Sequence, residues 1–100
     1  MAAIEYKIVA GRVDKDGKKI SGENFESSRD DTGKYHIIFR PVFGTLYGCS
    51  VAQIGFDDGK NDPRDSASPF SIEEGSMHIL TGDPKGNRVD RPFTFVVVGV

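Results

Sequence analysis

The chain has 100 residues, 37% of them hydrophobic and 28% charged, which describes one globular domain and not a disordered protein. Its net charge of −2 offers no general attraction for nucleic acid or an anionic membrane. Cys49 is the only cysteine, so an intrachain disulfide is excluded, and its apolar setting reads as a small buried thiol.

Short β-branched and aromatic runs alternate with glycine-bearing turns, the pattern of an all-β sandwich or barrel. The first run is "IEYKIVAGRV", where Ile4, Tyr6, Ile8 and Ala10 alternate with Glu5 and Lys7. That is a half-buried strand with the first four side chains as its apolar face. "DKDGKK" turns the chain, with Asp16-Gly17 as a hairpin signal. "NFESSR" is a short strand, and the "DDTGK" turn has Gly33 at a position open to positive φ. The stretch from Asp14 to Asp31 is the most polar and is expected to be the least packed.

In "KYHIIFR" Tyr35, Ile37 and Phe39 share one face, and His36, Ile38 and Arg40 share the other. Pro41 ends that ladder because it has no N–H to donate. "FGTLYG" is a connection and "CSVAQIGF" the next strand. A polar loop from Asp57 to about Asp65 follows, then a short strand in "SPFSIEE", a strand in "SMHILTG" and the loop "DPKGNRVDR". The last strand, "PFTFVVVGV", sets Phe93, Phe95 and Val97 on one face and Thr94, Val96 and Val98 on the other. Both faces are largely apolar, whereas the outer face of a two-layer sandwich is ordinarily polar. A second apolar face points to an interface between copies of the chain, the alternative being a central strand whose outer face is covered by a loop of its own chain.

Catalytic signatures are weak. His36 and His78 are the only histidines, and both lie inside predicted strands beside hydrophobic neighbours, where they read as ordinary strand histidines. No GxSxG elbow, HExxH pair or glycine-rich phosphate loop occurs. The one catalytic arrangement the residues permit is a carboxylate pair from "DDGKNDPRD". A chain this short builds a deep cleft with difficulty, and the expectation is no enzyme and no cofactor. "DDGKND" places oxygen ligands at calcium-like spacing. Lys60 interrupts the acidic pattern there, and no glutamate closes it.

Loops of a sandwich cluster at its ends, where a rigid scaffold positions them. "DDGKNDPRD" and "GDPKGNRVDR" mix carboxylates, amides and guanidinium groups, which suit the vicinal hydroxyls of a sugar. Asp62, Arg64, Asp65, Asp83, Asn87, Arg88 and Asp90 are the candidate contacts, with Arg and Asn donating and the carboxylates accepting. The competing role is structural: Arg64 with Asp65, and Asp90 with Arg91, as ion pairs that tie the loops down.

The strings "TGKYHIIFRPVF", "RDSA", "ILTGD" and "GNRVDRPFTFVVVG" resemble small sandwich domains of bacterial and phage proteins, often at fibre tips, and are similar to the H-type lectin family. The resemblance covers residues 33 to 99. It implies an antiparallel β-sandwich of six to eight strands that forms a homotrimer and binds glycans between subunits. Arg64 matches the family's loop arginine, and the stretch from Gly82 to Asp90 matches its ligand-contacting segment. Asp83, Pro84 and Lys85 stand where the lectins carry an aromatic and a histidine, and Phe95 stands near the position of a tryptophan. The expected function is thus glycan recognition without catalysis, the alternative being an assembly or receptor-binding module of a fibre. The start "MAAIEYKIVAGR" shows no secretory signal, and no apolar run is long enough for membrane insertion. The expectation is cytoplasmic synthesis of a product that is free or virion-associated.

Overall fold

A computed structural model describes residues 4–55 and 62–100. Eight strands are present: β1 Lys7–Val13, β2 Lys19–Gly22, β3 Phe25–Asp31, β4 Lys34–Phe39, β5 Leu46–Gln53, β6 Ser66–Phe70, β7 Ser76–Gly82 and β8 Phe93–Gly99. Every pairing is antiparallel, and the described residues contain no helix. One sheet runs β2-β1-β8-β5 and the other β3-β4-β7-β6. The inner faces of the two sheets form one core, as a β-sandwich requires.

The core follows strand alternation. Tyr35, Ile37 and Phe39 of β4, Met77 and Ile79 of β7, and Phe93, Phe95 and Val97 of β8 are all buried. Rings meet across the two sheets. Phe25 lies edge-on to Phe95 at 4.9 Å, and Tyr35 tilts against Phe93 at 5.0 Å. Such pairs add roughly 0.5–1.5 kcal/mol each beyond simple burial.

β1 corrects the expected facing. Val9 and Val13 point into the core, while Ile4, Tyr6 and Ile8 are 64%, 59% and 62% exposed. The inner face of β1 is the one that carries Gly11. A Cβ there would strike the Phe25 ring and the Ser21 backbone. The ring from the opposite sheet therefore needs a glycine beneath it, and that requirement sets which face turns inward. Consequently the outer face of this sheet is apolar over more than β8: Ile8 pairs with Val98 and Ala10 with Val96. Tyr6 and Tyr47 meet edge-on beside them at 6.2 Å.

Four smaller differences are local. β2 adds a strand within the polar stretch; all four of its residues are exposed, and it is held by its ladder to β1. β5 begins at Leu46, inside the expected connection. β6 starts at Ser66, directly after the polar loop, and carries Pro69 in its ladder with β7. β6 is an edge strand, where a missing N–H is tolerated. Cys49 is half-buried rather than fully buried, and desolvation pushes its thiol pKa up.

Two turns share one construction. Asp14 accepts from the N–H groups of Asp16 and Lys18, and Gly17 turns with φ of 89°. Asp83 accepts from the N–H groups of Lys85 and Asn87, and Gly86 turns with φ of 84°. In both, an aspartate satisfies the turn's amides and a glycine three positions later takes the left-handed backbone.

Candidate functional site: a polar cleft beside β5 and β6

Residues 62–65 of the first polar loop and the whole of the second come to one end of the sandwich. The first closes as a tight turn over Asp62-Pro63-Arg64-Asp65. The Asp65 N–H donates to the Asp62 carbonyl at 2.9 Å, and the Asp62 N–H donates to Asp65 Oδ2 at 3.0 Å. Aspartate followed by proline is favourable chemistry for such a turn. The Arg64 N–H and Nε donate to Asp62 Oδ1 at 2.9 and 3.1 Å, and Nη2 donates to Oδ2 at 2.9 Å. This guanidinium holds the Asp62 carboxyl down at a pKa of about 2. The Arg64 side chain is otherwise 75% exposed.

The ion pairs differ from the sequence-adjacent ones expected. Arg64 pairs with Asp62, Arg91 lies 3.7 Å from Asp65, and Asp90 pairs with Arg29 at 3.0 Å. The turn brings the Arg64 side chain back onto Asp62, and the other partners come from separate elements. Arg91 to Asp65 links the second loop to the first.

Asp90 is a tie between elements. Its Oδ1 accepts from the Gly33 N–H at 2.8 Å, and Arg29 Nε donates to both of its oxygens. Desolvation raises its pKa, but the Gly33 amide and Arg29 outweigh this, and the carboxyl sits below its ordinary value. Asp83 is spent on its own turn. The Asn87 N–H, aided by the Asn87 side chain and the Lys85 N–H, outweighs desolvation and lowers the Asp83 pKa. Asn87 and Arg88 line a shallow hollow of about 180 Å³ with Ser66 and Ser68.

The larger cleft, about 400 Å³, lies on the other side of Ser66, between β5 and the first loop. Its polar lining comes from Gln53, Asp62, Asp65 and Ser66, and its apolar lining includes Val51 and Ala67. Gln53 Nε2 donates to the carbonyls of Ser66 and Gly82 at 3.0 and 3.1 Å, holding the two sheets together at the cleft's edge. The Asp65 side chain is only 6% exposed. Its Oδ2 is used by the turn, whereas Oδ1 is buried without a hydrogen-bond partner. A buried acceptor of this kind costs about 1–3 kcal/mol until a donor reaches it.

The structure thus places Asp62 and Asp65 in one cleft, Asn87 and Arg88 in the adjoining hollow, and Arg64 outside both, exposed and paired with Asp62. Asp83 and Asp90 are occupied by backbone amides. Gln53 was not among the expected contacts. The available signal was that the chain's only glutamine falls within an apolar strand, where a polar amide requires partners. Of the acidic stretch considered for calcium, Asp57, Asp58 and Asn61 lie outside the described residues. No protein-family model matches the chain, and no curated protein or solved structure matches it either.

Proposed function

We propose that this is a non-catalytic recognition domain whose ligand is a glycan held in the Asp65 cleft. The observation that carries this reading is the cleft itself, where Asp62, Asp65, Gln53 and Ser66 set polar walls beside apolar Val51 and Ala67. Sugar hydroxyls are donors of the right size, and Val51 and Ala67 offer apolar surface for the ring's C–H faces. The ordering of the site by internal bonds favours binding, because little is lost in fixing it. A glycan array probed with labelled native protein, Asp65→Asn and Ser66→Ala tests it. A family of related sugars should light up with native protein and be lost with Asp65→Asn. A blank array from folded native protein would overturn the glycan reading.

The second reading, an assembly module, is favoured by a separate observation. The outer face of the β1–β8–β5 part of the first sheet exposes Ile8, Val96 and Tyr47. A second copy of the chain is the occupant proposed, as a homotrimer. The two readings are compatible, since three weak clefts on one trimer would gain avidity.

A further inference from the structure

On the outer face of the other sheet, three side chains with metal-ligating atoms converge from three neighbouring strands. His36 on β4 stands directly opposite His78 on β7. Their rings stack with centroids 4.3 Å apart and planes 4° from parallel. Asp30 comes from β3 at the register shift between Arg29 and Asp31. A bulge at such a shift re-aims a side chain, and here Asp30 Oδ2 lies 3.7 Å from His78 Nε2. One ligand atom from each of the three lies within 4.8 Å of the other two.

These atoms are not spent on one another. A separation of 3.7 Å is beyond hydrogen-bond length, and His78 Nδ1 is buried with no partner. Stacked parallel imidazoles point their in-plane nitrogens past each other. Phe70, opposite His78 on β6, flanks its ring at 5.1 Å and reduces water access to that side. The nearby Lys34 ammonium sits over the Phe70 ring, 5.7 Å from its centroid.

We infer that Asp30, His36 and His78 form a binding site for a divalent transition-metal ion, with zinc as its representative. Two imidazoles and a carboxylate are a donor set that zinc accepts, leaving a fourth position for water or an outside ligand. Calcium and magnesium take oxygen ligands and find only one such side chain here. Ligand atoms on tetrahedral zinc lie roughly 3.4 Å apart, so the 3.7 Å edge between Asp30 and His78 is close to that spacing already and the edges to His36 make most of the closure on binding. The rings also turn out of their stack, because parallel lone pairs cannot converge on one ion. Both histidines lie on the outer face of the sheet, so this turn leaves the core packing undisturbed. Loss of ring stacking is therefore the signature of binding.

The test titrates zinc chloride into untagged native protein, read by calorimetry and by the histidine ring resonances. The expected result is one zinc per chain at micromolar affinity, with both rings shifting together. His36→Asn and His78→Asn should each weaken binding at least about tenfold, and Asp30→Asn should weaken it several-fold. Cys49→Ser should bind as native does. Asp30→Asn, at an exposed position, carries the test if a histidine variant misfolds. No heat and no ring shift up to millimolar zinc would overturn the site. So would variants that titrate like native protein, or binding abolished by Cys49→Ser.

Discussion

Tyr35 is buried on every side, and its one polar side-chain atom reaches out of the core to donate to the Lys15 carbonyl at 2.7 Å. That bond connects β4 to the turn between β1 and β2. Burial, ahead of the nearby Asp90 charge, pushes the phenol up to a pKa of about 12 from an ordinary 10.0. The unfolded chain releases this proton first as pH rises, so the contribution is fully present below about pH 10 and is lost as pH climbs to about 12. Tyr35→Phe should cost about 1 kcal/mol at neutral pH for the lost hydrogen bond. It should also flatten the alkaline limb of the urea midpoint plotted against pH. A variant whose alkaline limb matches that of the native protein would show that Tyr35 is not the group titrating there. The core position of Tyr35 was legible in the sequence, since it alternates with His36 and shares a face with Ile37 across one residue. Its partner was not, because the Lys15 carbonyl is brought to it by the sandwich and carries no residue signature.

At the scale of the element, the two aspartate–glycine turns make a matched pair. "DKDG" and "DPKG" use the same bonds, and in each the carboxylate stands in for strand partners that the turning amides lack. Asp14→Ala and Asp83→Ala should each destabilise the fold by about 1–2 kcal/mol, as a lost cap does. Gly86→Ala should cost about 1 kcal/mol through its left-handed backbone. Chemical denaturation of the three variants measures this, and a change within error for Asp83→Ala would show that its turn holds without the carboxylate. Asp83→Ala and Asp65→Asn together separate structure from recognition: Asp83 has a structural role by its bonds, whereas Asp65 lines the cleft. Strand facing shows why a period of two reads only half of the problem. In β1 the alternation separates Ile8 and Ala10 from Val9 and Gly11, but both sets are apolar. The choice between them rests on the Phe25 ring from the other sheet, a contact distant in sequence. In β4, by contrast, charge and aromaticity differ between the faces, and the sequence alone identifies the inner one.

For the molecule as a whole, the two sheets leave unequal outer faces. The β3–β4–β7–β6 sheet presents charged and histidine side chains, including the Arg40–Glu26 pair at 3.0 Å. The other sheet presents Ile8, Ala10, Val96 and Val98 in cross-strand register, beside Tyr6 and Tyr47. Covering such side chains is worth roughly 25 cal/mol per Å² of apolar surface removed from water, and aromatic side chains are favoured at interface centres. The apolar second face of β8 was readable from "FTFVVVG" alone. The extension over β1 was not, because it follows from the inverted facing of that strand. A homotrimer formed through this face predicts a mass near three times 10.9 kDa in sedimentation equilibrium. Ile8→Lys and Val96→Glu each bury a charge at that contact and should lower the assembly to monomers by a few kcal/mol of lost association. Far-UV circular dichroism should stay unchanged, because neither side chain faces the core. The pair should also partly rescue each other, since a lysine and a glutamate of opposite sign would then share the interface. A native protein that remains monomeric at high concentration would sink the assembly reading, and the glycan cleft would then act as a single site.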